Sequence, residues 1–445
     1  MKSFVTKEHQ AACIETIQTL ISYPSYLRET NTEGTLFGKD IQKVLEKTLD
    51  ICQDLGFKTY LDPEGYYGYA DYRDGKEILA VLCHLDVVPP GNEELWETPA
   101  FEGVIRDDFL FGRGSQDDKG PAMAALYGMK ALIDAEVEFD KRIRFIFGTD
   151  EENLWRCMDK YNEKEEKAVM GFAPDAEFPL TFAEKGLLQV KLKGKGSKGI
   201  AVACGDALNV VPAEARYKGP LKEALKSELE KLGFNYKMEN ETVVVLGKSI
   251  HSKDANQGIN AVTRLAMALQ MITKSEAIDF IANEVKEDAR GIKLFGEVED
   301  NASGILTFNV ASLNVDENES VIGIDIRIPV TVNKDEIVAT LTEVAKKYHL
   351  KYEEFDYLAS LYVPLESTLV ETLLGVYRDK TGDFSDPMTS GGATFARTMD
   401  NCVAFGAVFP DSPITFHEAN EKMPLRDIYG AMDIYAEAIY RLAGK

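Results

Sequence analysis

The sequence predicts an α/β fold interrupted by an inserted α+β module. Three observations predict it. Short, wholly apolar runs alternate with helix-period segments through the first part of the chain, the pattern of strands covered by helices. From Gly186 the texture changes: over 187–192 apolar residues are interspersed with polar Gln189 and basic Lys191, as a sheet with one face in water requires. After Pro364 the first texture returns. The simplest division assigns 1–185 and 360–445 to one α/β domain and 186–359 to the insert.

Each element has its own signal. Residues 8–22 carry apolar side chains at helical spacing and stop at Tyr23-Pro24-Ser25; 38–55 is a second amphipathic helix closed by Gly56. Short β-like runs come next at 58–61 and 67–72. Residues 78–83 form a buried strand by length and bounding residues, and 109–111 a short one. A small-residue helix is expected over 121–135, a strand at 143–148, a helix from Leu154 and a strand at 169–174. Within the insert the expectations are helices at 221–232, 260–272 and 334–348 and an antiparallel pair at 306–313 and 321–328. A helix at 366–381, an apolar strand at 402–409 and a last helix at 427–442 complete the chain.

Composition narrows the function. The chain has 445 residues, 45% hydrophobic and 28% charged, enough apolar material for more than one core. Its net charge of −24 argues against nucleic acid as a partner and against an anionic membrane surface. No apolar run approaches the length of a membrane span, and residues 1–10 lack the apolar stretch of a secretory leader. The six cysteines are scattered and form no C-x-x-C pair, which predicts reduced, buried thiols and a cytoplasmic protein.

Several chemistries are absent. Gly112-Arg113-Gly114 is no dinucleotide fingerprint, because Asp117 stands where a third glycine belongs. Gly247-Lys248-Ser249 has Thr242 in place of the upstream glycine of a phosphate loop. There is no G-x-S-x-G elbow. His417-Glu418-Ala419-Asn420-Glu421 ends in glutamate where a zincin motif needs histidine.

Ionisable residues instead gather after apolar runs. His84-Leu85-Asp86 comes after 78–83, Asp117-Asp118 after 109–111 and Glu151-Glu152 after 143–148; Asp175 ends 169–174, and His417 comes after 402–409. Ligands of open α/β sheets bind beyond the carboxyl ends of the strands, so these five places can meet in one cleft. Imidazoles and carboxylates without thiolates suit Zn2+ or Mn2+, with Co2+ also compatible. A carboxylate can bridge two such ions. His-x-Asp on a strand places both side chains on one face, so Asp86 can orient His84. Each place also has a plainer reading; Asp117, ahead of a helix, suits an N-cap.

In this order and spacing, the residues resemble the dinuclear metallopeptidase superfamily of aminoacylase, acetylornithine deacetylase, succinyl-diaminopimelate desuccinylase and carnosinase. Asp117 lies 33 residues after His84, Glu152 35 after Asp117, and Asp175 23 after Glu152. Gly148-Thr149-Asp150-Glu151-Glu152, the stretch from Gly171 to Pro179, Glu184-Lys185-Gly186 and the stretch from Ser390 to Arg397 are similar to the PepV-type dipeptidases. The resemblance implies a zinc-peptidase-like catalytic domain with a mixed central sheet and an inserted lid domain. It implies two divalent ions, one held by His84 and Asp175, the other by Glu152 and His417, with Asp117 bridging. Glu151 would be the general base and Asp86 would orient His84. In the lid it implies substrate roles for Asn209, His251 and Arg327, and near it for Ser390 and Gly391. Ala255 replaces a frequent proline beside His251; Ser390 and Ala393 replace frequent glycines.

The expected activity is hydrolysis of short peptides with a free N-terminus, by a water from which Glu151 removes the proton. The alternative is an N-acyl amino acid deacylase with the same ligands. The resemblance to the PepV-type branch, with its enlarged lid, implies a monomer.

Overall fold

The computed structural model describes residues 3–28, 35–205 and 207–445. Two compact units make up the chain. The first comprises Met1–Phe182, Val363–Met388 and Thr394–Lys445; the second comprises Ala183–Tyr362 and Thr389–Ala393.

The first unit opens with two helices, α1 (Lys7–Ile21) and α2 (Lys39–Asp54). Thr6 caps α1 by accepting from the His9 amide. The strands are β1 (Lys58–Leu61), β2 (Tyr67–Tyr72), β3 (Ile78–His84), β4 (Val104–Arg106), β5 (Phe109–Phe111), β6 (Arg142–Gly148) and β7 (Met170–Ala173). The central sheet runs in the order β1, β2, β6, β3, β7 and Cys402–Ala404. It is mixed: β2 is antiparallel to β1 and β6, while β6, β3, β7 and Cys402–Ala404 are mutually parallel neighbours. Every residue of β3 is buried, so the apolar run from Ile78 is a central strand covered on both faces. Helix α3 (Lys119–Asp134) packs on the final helix, Leu425–Ala443. A Cβ at Gly128 would lie 2.7 Å from the Met432 carbonyl, so this approach requires glycine.

Local signals shift several boundaries. α3 begins at Lys119, ahead of Pro121, because a first-turn proline forfeits no helical hydrogen bond. The helix expected from Leu154 starts at Arg156, after the left-handed Trp155. The 402–409 run is two short strands, Cys402–Ala404 and Ala407–Val408, parted at Gly406 (φ 70°).

The second unit is built on a five-stranded antiparallel sheet in the order Val202–Cys204, Thr307–Val315, Glu319–Ile328, Gly186–Lys195, Lys351–Leu358. Leu188, Val190 and Leu192 face its core, while the intervening Gln189, Lys191 and Lys193 are only partly covered, as alternation predicts. A three-stranded sheet and the helices Lys222–Leu232 and Ala261–Gln270 share that core. Residues 389–393, which the sequence division leaves outside the insert, cluster with this unit. The reason is polar: Lys185 N–H donates to the Ser390 carbonyl at 2.9 Å and Arg327 to that of Gly391 at 2.8 Å. Among the described residues no helix is long and apolar enough to cross a membrane. All six cysteines are buried thiols outside any disulfide.

Candidate metal centre

The parallel strands deliver their exits to one edge of the sheet. His84 is the last residue of β3, Thr149 to Glu152 come directly after β6, and Pro174-Asp175 directly after β7. His417 arrives differently, on a loop between Ala407–Val408 and the strand Lys422–Pro424, in a left-handed conformation (φ 64°). Two groups of potential ligands result, each with its ligand atoms within 4.8 Å of one another: His84, Asp117 and Asp175, and Asp117, Glu152 and His417. Asp117 belongs to both.

Hydrogen bonding sets the histidine tautomer. The Asp86 carbonyl lies 2.9 Å from His84 Nδ1, and a carbonyl only accepts, so Nδ1 carries a proton. Nε2 then faces Asp117 Oδ1 at 2.9 Å and Asp175 Oδ1 at 3.7 Å. It is buried and makes no hydrogen bond of acceptable geometry. Ring nitrogen and carboxylates converge on a common point, which is what a cation site needs. His417 Nε2 lies 3.0 Å from Asp117 Oδ2 and 3.1 Å from Glu152 Oε2. Nitrogen and oxygen donors without thiolate fit Zn2+ or Mn2+.

Asp86 departs from expectation. Its carboxylate stands 3.7 Å from His84 Nδ1, and the backbone carbonyl makes the close contact. The two carboxylate oxygens instead accept from the amides of Glu151 at 3.1 Å and Glu152 at 3.0 Å. Asp86 therefore shapes the loop that carries Glu151 and Glu152. Asp117 is no N-cap either: the cap position is Asp118, whose side chain makes no capping bond. The buried Asp118 carboxylate accepts from the His84 amide at 3.1 Å, tying the Asp117 loop to β3. Phe395 backs His84 edge-on at 6.1 Å.

The electrostatics are those of crowded carboxylates. Burial drives Glu151 well above the usual carboxylate range, and Asp175 adds to it. Burial and Asp117 push Glu152 up to about 7. Burial opposes charge on both histidines, but neighbouring carboxylates outweigh it. Asp117 and Asp175 hold His84 well above its ordinary value, and Asp117 and Glu152 push His417 up to about 11. Burial would raise Asp117, yet the two histidines hold it below the usual range. Divalent cations would satisfy these surplus negative charges directly.

The remaining candidates lie together in the second unit. Arg327 is buried and donates to Asp325 Oδ1 at 2.7 Å and Oδ2 at 3.0 Å, to Ser252 Oγ at 3.1 Å and to the Gly391 carbonyl. Its structural partner is therefore Asp325, two residues back on the same strand. His251 Nδ1 accepts from the Lys253 amide at 3.1 Å, which places its proton on Nε2. Burial and the Arg327 charge lower its pKa, so it is a neutral donor. The Asn209 carbonyl accepts from Ser252 N–H at 2.8 Å, joining Asn209 to the same group. Ser390 Oγ accepts from the Gly392 amide at 2.9 Å.

The other two histidines each face a carboxylate. His9 pairs with Asp134 at 3.0 Å, and exposed His349 with Glu276 at 2.6 Å. Sequence reasoning assigned no role to Gln116, Asp118 or Glu421, though all three flank ligands in the motifs it singled out.

Comparisons with known proteins place the whole chain in one family. Residues 80–441 match the profile of Peptidase family M20/M25/M40. The chain is 35% identical to “Putative dipeptidase YtjP” of Bacillus subtilis, over 97% of each chain. Its fold is similar to that of aminoacylhistidine dipeptidase from Vibrio alginolyticus (TM-score 0.61, 12% identity, 98% of this chain and 97% of that one). It is also similar to the M20 metallo-carboxypeptidase Sso-CP2 from Sulfolobus solfataricus (TM-score 0.60, 18% identity, 98% and 99%). An α/β domain with an α+β insert, two ligand groups sharing one aspartate and a full-length relative lead to one conclusion: this chain is a hydrolase belonging to the M20/M25/M40 peptidase family.

Proposed function

We propose that this protein is a metal-dependent dipeptidase acting on short peptides with a free N-terminus. The observation that carries the reading is the pair of ligand groups sharing Asp117, in a chain whose full-length relative bears a dipeptidase name. In this reading His84 and Asp175 would hold one Zn2+ or Mn2+, with Co2+ as a substitute. Glu152 and His417 would hold the other, and Asp117 would serve both. Bound cations would supply Lewis acidity toward the peptide carbonyl and acidify water.

Glu151 is the proton carrier. It stands directly after β6 beside Glu152, where it can take a proton from attacking water and return it to the leaving amine. Asp86 supports it through the loop amides it holds. His251, neutral and protonated on Nε2, is suited to donate to a developing oxyanion. Asn209, Arg327, Ser390 and Gly391 take the substrate roles that family resemblance implies, with 186–359 as the lid and 1–185 and 360–445 as the catalytic domain. Buried thiols outside any disulfide support a cytoplasmic location, and the resemblance to the PepV-type branch supports a monomer, which sedimentation tests.

The test is hydrolysis by metal-stripped enzyme, with Mn2+ or Zn2+ restored, of a free dipeptide beside its N-acetyl form and an N-succinyl amino acid. Metal-dependent cleavage of the free dipeptide alone is expected. Preference for an acylated substrate would move the function to deacylation.

A further inference from the structure

We propose that Gln116 and Glu421 are positioning residues that set the second ion site, Asp117–Glu152–His417, and leave the first largely untouched. The inference rests on the dinuclear reading above and goes beyond it.

The two sites share Asp117, but the loop bearing it is fastened on two sides by different means. Toward β3 the Asp118 carboxylate accepts from the His84 amide. Toward the His417 loop the fastening is Glu421. This carboxylate is wholly buried, and its Oε1 accepts from the amides of Gly114 at 3.0 Å, Gln116 at 2.9 Å and Asp117 at 3.2 Å. Its Oε2 pairs with buried Arg113 at 2.6 Å. Gln116 answers in the opposite direction. Its Oε1 accepts from the amides of Thr415 at 2.7 Å and Phe416 at 2.9 Å, and its Nε2 donates to the Pro413 carbonyl at 2.9 Å.

Each loop thus holds the other, on both sides of His417 in the chain. The small sheet sets this up. Lys422–Pro424 pairs with β5, with Lys422 opposite Phe111, which brings Glu421 beside the turn at the end of β5. No regular element carries His417 itself. Its position relative to Asp117 therefore depends on these side-chain bonds, whereas His84 is the end of a central strand.

Outer-shell partners of ligands typically control about 10–100-fold in metal affinity. The experiment is equilibrium titration of metal-free full-length protein with Co2+, read by bound stoichiometry and visible absorption. His417→Ala and Asp175→Ala serve as references for the second and first sites. Gln116→Ala and Glu421→Ala are each expected to weaken the ion lost in His417→Ala by about 10–100-fold and to leave the other ion within about threefold of wild type. Gln116→Ala removes no buried charge, so it keeps the test valid if Glu421→Ala fails to fold. Wild-type affinity at both sites in folded Gln116→Ala would overturn the inference and leave the dinuclear reading standing. Equal weakening of both sites would also overturn it, as general loosening. Fewer than two ions bound by wild type, or no change in His417→Ala, would overturn the dinuclear reading and the inference with it.

Discussion

The two ligand groups share Asp117 and differ in almost everything else. His84 ends a central strand, its side chain is 1% exposed, and backbone groups on β3 and just beyond fix it. His417 lies on a loop, its side chain is 49% exposed, and the side chains of Gln116 and Glu421 locate its segment. One histidine is placed by sheet topology, the other by polar cross-bracing. Precision from a sheet comes with the core. Precision on a loop must be supplied by specific hydrogen bonds, and single substitutions can remove those.

The largest expected effect separates chemistry from both sites. Glu151→Gln should lower kcat by roughly 10³-fold while both ions still bind, as loss of a general base implies. Turnover near wild type would remove Glu151 from the mechanism.

Next comes stability without metal. His84→Ala leaves buried carboxylates without their partner and should destabilise the chelated protein by about 3 kcal/mol. His417→Ala, at a half-exposed position, should cost under about 1 kcal/mol. Equal losses in denaturant unfolding with EDTA would erase the contrast between the sites.

The pH dependence sharpens it. Both histidines bind protons more tightly folded than unfolded. Their contribution is complete below about 6.5 and is lost as pH rises, for His417 through about 11. Glu152 runs the same way, since its burial penalty emerges as pH rises toward about 7. Asp117 acts only below the usual carboxylate range. Chelated protein should therefore melt several degrees lower at about pH 9 than at about pH 6. Mn2+-loaded protein should lose this slope, because cations replace those protons. A flat profile in EDTA would mean the histidines are uncharged in the metal-free protein.

The smallest effect concerns Asp86. Its carboxylate holds the Glu151–Glu152 amides, so Asp86→Asn should weaken the Glu152–His417 ion by about tenfold and the His84 ion less. The reverse order in a metal titration would restore Asp86 as the side chain that orients His84.

Much of the site was legible because its parts are local. A strand is short and apolar, and the residues at its exit are polar and ionisable: His84 after 78–83, Glu151-Glu152 after 143–148, Asp175 at the end of 169–174. The bonds between distant segments were not legible. That Glu421 would reach Gly114, Gln116 and Asp117, some 300 residues earlier, has no periodicity or spacing to announce it. The same holds for Asp118, whose carboxylate accepts from the His84 amide, and for residues 389–393, which join the second unit through two hydrogen bonds to backbone carbonyls.

By itself, then, the sequence determined the elements, the interruption of one α/β region by an α+β one and which ionisable residues stand at the strand exits, because these depend on residue type, local periodicity and order. Tertiary structure alone decided which oxygen of Asp86 holds which group, how the Asp117 loop is fastened on two sides, and that His84 rests on a strand while the His417 segment rests on side-chain bonds. Those outcomes depend on buried polar groups finding partners in three dimensions, and a linear pattern carries no record of which partner lies nearest.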